Sequence, residues 1–261
     1  MNGDTPARSE PVILRCAGVP IAAVPPARAV DYVIEQGLSS VDRGTGLDVH
    51  LCNAYTLALA DGDDDYRAML SRASANFPDG TPVVWANRLL HRDAAVAHER
   101  VRGPGLFLDV FDAGQERGLK HYLLGSTPDV LAALEQNLRE RYPRADIVGV
   151  ESPPFRALTE QEQAEQAGRL RASGAHVVWV GLGTPKQDWE CARLRELVPA
   201  VFVAVGAAFD FAAGTKSVAP QWMQDNGLEW VHRLASEPRR LWKRYLFGNT
   251  RFVYAAARRR S

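Results

Sequence analysis

Apolar positions along the chain alternate between short continuous runs and longer stretches with helical spacing. The runs at 47–52 (LDVHLC), 121–124, 147–150, 177–180 and 201–205 are rich in β-branched and large apolar residues and predict strands buried on both faces. Stretches with a period near 3.6 predict helices over 27–36, 54–61, 82–90, 106–117, 128–141 and 159–173. The last of these opens on Thr159-Glu160-Gln161-Glu162, a capping-box pattern, and the 128–141 stretch carries Asp129 in its first turn. Residues 71–77 fit a short helix or an irregular segment equally, and the DGDDD run at 61–65 reads as an acidic turn. Strands separated by helices of this length predict βαβ units. The expected fold is therefore α/β, a mostly parallel, Rossmann-like sheet flanked by helices.

Composition sharpens the organisation more than the class. The 261 residues balance 31 Lys and Arg against 31 Asp and Glu, so the molecule as a whole has no field that points to nucleic acid. The distribution is uneven, because residues 231–261 hold nine Lys or Arg and one Glu. A basic, helical C-terminal appendage over 226–261 is expected beyond a core at 11–225, with the composition shifting near Gln221 and residues 1–10 expected to be disordered. Three scattered cysteines without CxxC or Cys/His pairing argue for a reducing compartment and against a structural zinc site. The polar first residues lack the apolar core of a signal peptide, and no window reaches 18 uninterrupted apolar residues. The expectation is a cytoplasmic protein that meets a membrane only at its surface.

Candidate chemistry sits where strands end. GLGTPKQ (181–187) follows the VVWV strand, so Gly183 and the backbone around it, with Lys186 and Gln187, suit either a phosphate or nucleobase site or a plain strand-to-helix turn. It is neither the dinucleotide fingerprint nor a Walker A loop. LLGSTPD (123–129) repeats the design around Gly125, with Ser126 or Thr127 as helix cap and Pro128 at the first helical position, and capping accounts for those residue types. FPDG (77–80) places Asp79 on an ordinary Pro-Asp-Gly turn. Asp63 to Asp65 read as a solvated face rather than a metal cluster. In the tail, Arg233, Arg240 and Arg244 share helical spacing, interrupted by Pro238, and Trp222, Trp230 and Trp242 accompany them. Rings beside fixed cations suit a membrane interface or phosphate recognition, and no nucleic-acid-binding motif is present.

Several ordered blocks together resemble the WecG/TagA/CpsF glycosyltransferases, glycosyltransferase family 26. They are FPDGTPVVWANRLL, ERVRGPGLF, HYLLGSTPDV with RYPRADIVG, VVWVGLGTPKQDWE, AVGAAFDFAAGTKSVAPQWMQDNGLEWVHRL and EPRRLWKRYLFGN, spanning roughly residues 47–249. The resemblance implies a GT-E-type fold and inverting, metal-independent transfer of a sugar from a UDP-sugar to a polyprenyl-diphosphate-linked acceptor at the inner membrane face. No cofactor is implied. Asp79 matches the proposed catalytic base and Asn53 the asparagine at the first active-site strand end. Arg100 and Gln187 match residues tied to donor contacts, and Arg233, Arg240 and Lys243 match appendage cations thought to close over the site.

Three positions depart from the family pattern. Leu51 stands where Thr is common, and RVTGxDL becomes RVRGPGL, which brings in Arg102 and Gly105. Both changes bear on the donor, which could be N-acetylmannosamine, glucose or a uronic acid, with Arg102 as a partner for a uronate. A non-catalytic nucleotide- or membrane-binding relative is the alternative. A homo-oligomer that seats the appendage is compatible with the sequence.

Overall fold

The structure, a computed structural model, describes residues 11–92 and 99–259, without the side chains at 224, 225, 240, 243, 244 and 247. It opens with an antiparallel hairpin of β1 (Val12–Cys16) and β2 (Val19–Ala23) and a long helix α1 (Pro26–Arg43). There follow β3 (Leu47–Cys52), α2 (Ala54–Gly62), α3 (Asp64–Ser71), β4 (Ala75–Pro78), α4 (Thr81–Leu90) and α5 (Gly103–Gly114). The second half runs β5 (Lys120–Gly125), α6 (Pro128–Arg141), β6 (Asp146–Glu151), α7 (Glu160–Ser173), β7 (Val177–Gly181), α8 (Lys186–Leu194) and β8 (Val201–Ala204). The chain closes with α9 (Ala208–Ala212), α10 (Gln221–Asp225), α11 (Glu229–Ser236) and α12 (Pro238–Arg258).

Strands β3 to β8 form one parallel sheet in the order β4-β3-β8-β7-β5-β6. The chain builds the two flanks first and fills the middle with β7 and β8. Strand alternation divides the central side chains between two layers. Val177, Trp179, Val201 and Val203 face a core shared with α1, α5 and α6, and Val178, Val180, Phe202 and Ala204 face one shared with α7 and α8. Trp179 is fully buried edge-on to Phe107 at 4.9 Å, and its Nε1 donates to His121 Nδ1 at 3.1 Å. Burial and the neighbouring His176 push the His121 imidazole down to about 3, so it stays neutral in the core.

Capping chemistry behaves as the residue types require. Thr127 caps α6, with Pro128 as its first helical residue, and Thr159 with Glu162 closes the capping box on α7. The acidic run is not a free turn, because Asp63 accepts from Tyr66 N and caps α3 while Asp64 and Asp65 occupy its first turn. Within the stretch 71–77, undecided in sequence, the residues from Ala75 on join Pro78 as β4 by pairing with β3. Pro238 separates the tail helices, so Arg233 lies on α11, while the chain at 240 and 243 belongs to α12.

One face of β3 is polar yet buried. His50 Nδ1 lies 3.0 Å from Asp188 Oδ1, and Nε2 lies 2.9 Å from Asp48 Oδ2. Tyr66 donates to the other oxygen of Asp188, and Arg195 and Ser74 donate to Asp48. Burial works against the imidazolium, but the two carboxylates prevail and lift His50 to about 9. The network ties β3, α3 and α8 together.

The appendage is rooted in the body. Phe252, Ala255 and Ala256 of α12 are buried in a cluster with Leu57 and Ala58 of α2 and with the hairpin. Asp61, only 5% exposed, meets Arg251, Arg258 and Arg259 beside that cluster.

Candidate active site

A cavity of about 200 Å³ opens at the carboxyl ends of β3 and β4, roofed by α11 and α12. In open parallel sheets this edge carries ligand sites, because loops and helix N-termini converge there. Asn53 ends β3 and caps α2, its Oδ1 accepting from Tyr55 N and Thr56 N at 3.0 and 3.2 Å. Asp79 directly follows β4, held by its N–H donating to Cys52 O at 3.0 Å. Gly80 follows at φ +88, a conformation that favours glycine, and turns the chain into α4 so that the carboxylate stays at the cavity floor.

The RVRG segment supplies the next wall. Val101 donates its N–H to Pro78 O at 2.8 Å and buries its side chain, which leaves Arg100 and Arg102 on the opposite side, two residues apart. Both line the cavity. From the roof, Arg233 lies over the Phe211 ring at 5.7 Å, and Trp230 and Tyr245 form an aromatic wall with ring centroids 5.9 Å apart.

Asp79 is half-buried, and its carboxyl lies above the ordinary range. Burial is the largest cause, opposed by Arg233, reinforced by Glu229, and opposed again by the hydrogen bond from Asn53 and by Arg102. A carboxylate held at raised affinity for a proton, at the floor of an arginine-lined cavity, suits general-base work.

The structure brings Asn53, Asp79, Arg100 and Arg233 into one cavity. Gly125, Gly183, Lys186 and Gln187 stand elsewhere on the same sheet edge and do not line it. A Cβ on Gly125 would lie 2.6 Å from the Gly181 backbone, so its glycine serves the close approach of β5 to β7. Gly183 turns at φ +79, and its N–H donates to Gln187 Oε1 at 3.0 Å, which clips the buried Gln187 onto its own loop. Lys186 is exposed at the start of α8. The side chains of Arg240 and Lys243 lie outside the described residues.

The departures also find places. Leu51 is core, 3.2 Å from where a Cβ on Gly103 would sit, and does not line the cavity. Gly105 lies in the first turn of α5, its nearest neighbour the Arg102 stem. Arg102 pairs with Glu229. Glu229, Phe211 and Tyr245 are not singled out by sequence reasoning, whereas Trp230 stands out there as one of the tail tryptophans beside the arginines. The one available signal was the spacing of Glu229 to Arg233, four residues apart on one helix face, which ordinarily marks a surface pair.

No helix among the described residues is long and apolar enough to cross a membrane. The profile of the glycosyl transferase WecG/TagA/CpsF family matches residues 14–261, nearly the whole chain and every element that builds the cavity. With its parallel α/β core and that match, the chain belongs to the WecG/TagA/CpsF family of glycosyltransferases.

Proposed function

We propose that the chain transfers a sugar from a UDP-sugar to the hydroxyl of a polyprenyl-diphosphate-linked acceptor, in the synthesis of a cell-wall polymer or surface polysaccharide. The observation that carries this reading is Asp79, a half-buried carboxylate of raised pKa at the floor of an arginine-lined cavity. In its ionised form it takes the acceptor hydroxyl proton as that oxygen attacks the anomeric carbon and the UDP oxygen leaves with the bonding pair. Arg100, Arg102 and Arg233 supply fixed positive charge for the departing diphosphate, a task a divalent metal performs in other transferases. The reaction is therefore proposed as metal-independent. Asn53 orients the base, and Trp230 and Tyr245 offer apolar faces to a sugar or base ring.

Trp230, Trp242, Leu246 and Val253 of the appendage, with Trp222 just before it, are exposed, in a segment rich in arginine. This supports docking of the appendage at an anionic membrane surface, where a lipid-linked acceptor would be met. Donor identity is proposed as N-acetylmannosamine, glucose or a uronic acid.

The test is turnover with a panel of UDP-sugars and a short-chain polyprenyl-diphosphate acceptor in EDTA. Product formed from one donor supports the reading and names the sugar. Saturable UDP binding without product from any donor favours the non-catalytic relative.

A further inference from the structure

Two guanidinium groups converge on a single carboxylate inside the cavity. Arg100 Nη1 donates to Glu229 Oε2 at 2.9 Å, and Arg102 Nη2 donates to Oε1 of the same side chain. One arginine to each oxygen is an arrangement that phosphate oxygens fit equally well. Glu229 comes from the appendage, at the start of α11, a helix with no buried side chain. One turn later on that helix stands Arg233, which acts on Asp79. Among the described groups three arginines face two carboxylates, and pairing with Glu229 offsets part of the positive charge a ligand would meet.

The contrast with the other end of the appendage is informative. There Asp61 of α2 meets Arg251 and Arg258 of α12 and Arg259 just past its end, beside a buried apolar cluster, and nothing a ligand carries is needed to complete the contact. Glu229 is 23% exposed in a ligand-sized cavity, and its helix is flanked by Gly227 at φ +69 and by a break at Glu237. A helix with so little burial moves at small cost while α12 stays rooted.

The geometry points to Glu229 as an internal anion that holds the Arg100–Arg102 pair and yields it to the phosphate groups of the ligand, shifting α11 as it leaves. This rests on the cavity being the nucleotide-diphosphate site proposed above. It also gives Arg102, which stands where the family has Thr, a role as the second arm of the clamp rather than as a partner for a uronate.

The test is calorimetric titration of UDP, inorganic pyrophosphate and uridine into the full chain and its Glu229→Gln variant. Removing the competing charge raises the fraction of open clamp, so UDP and pyrophosphate bind about three- to tenfold more tightly while uridine is unchanged. Equal or weaker binding of both phosphates by Glu229→Gln overturns the proposal, as does no pyrophosphate or UDP binding by either protein. A second readout needs no change at Glu229. Pyrophosphate should alter tryptophan fluorescence in the wild type and not in Trp230→Phe, because Trp230 adjoins Glu229, and a signal indifferent to Trp230 counts against displacement. Tighter pyrophosphate binding by Glu229→Gln without turnover of any UDP-sugar leaves the displacement standing and removes the transferase reading; turnover without tightening does the reverse.

Discussion

Asp48 and Asp79 sit at opposite ends of two paired strands, and the chain treats them in opposite ways. Asp48 opens β3 with His50, Arg195 and Ser74 donating to it, and these partners hold its carboxyl far below the usual range despite burial. Asp79 follows β4 with burial and Glu229 outweighing Asn53 and two arginines, and its carboxyl lies above that range. The first is saturated with donors and belongs to the scaffold. The second is left short of stabilisation, and that deficit is what makes a carboxylate a base.

The largest expected effect separates the two by activity. Asp79→Asn should lower sugar transfer by at least about 100-fold, the loss expected on removing a general base. Its UDP affinity should stay near wild type, and its melting temperature should not fall, because a poorly stabilised buried charge has been removed. Transfer at the wild-type rate would take the base role from Asp79. The converse experiment is on the network. His50→Ala leaves the carboxylates of Asp48 and Asp188, 1% and 3% exposed, without the imidazolium between them. Breaking a buried pair of this kind costs about 3–5 kcal/mol, read as a lower urea midpoint at unchanged slope. A midpoint equal to wild type would mean that the network contributes no net stability.

Titration distinguishes the two regions with opposite signs. His50 is raised to about 9, above its unfolded value near 6.5, so its contribution to stability is complete below about pH 6.5 and fades as pH rises through about 9. Asp48 is lowered, so its contribution is present above about pH 4 and is lost as pH falls through its folded value. Asp79 is raised, so its ionisation opposes folding as pH rises through its folded value, while transfer needs that ionised form and declines on the acid side. Thermal melts from pH 2 to 10 and a pH–rate profile check these signs. A melting temperature flat between pH 7 and 9.5 would contradict a charged His50.

The smallest effect sharpens the comparison at Asn53. Asn53→Ala removes a helix cap worth about 0.5–2 kcal/mol and also a hydrogen bond to the Asp79 carboxylate. Stability should drop modestly, and the acid limb of the rate profile should move to higher pH. A drop in stability with an unmoved limb would assign Asn53 to capping alone.

Much of the architecture was legible because it is written in local chemistry. Runs such as VVWV and VFVA have one stable use, as strands covered on both faces, and the caps at Thr127 and Thr159 act within four residues of themselves. Elements whose identity depends on a partner were not legible. The hairpin β1–β2 and the short strand β4 pair with segments the local pattern does not announce, and Asp63 became a cap only because α3 formed behind it. The same division runs through the site. The blocks around Asp79, Arg100 and Arg233 carried the family likeness, Asn53 was matched through it, and the fold gathers all four into one cavity. Gly125 and Gln187 look like ligand residues in sequence, yet one makes room for a neighbouring strand and the other fastens its own loop.

What the sequence determined by itself was therefore the α/β class, most of its elements and the family, since periodicity, capping and ordered motifs are properties of neighbouring residues. Tertiary structure alone decided that Asp48 would be satisfied and Asp79 left short, and that Glu229 would close on arginines 127 and 129 residues away. The physical reason is that burial and charge pairing depend on distances through space, and these arise only once the sheet has brought its carboxyl ends together beneath the appendage.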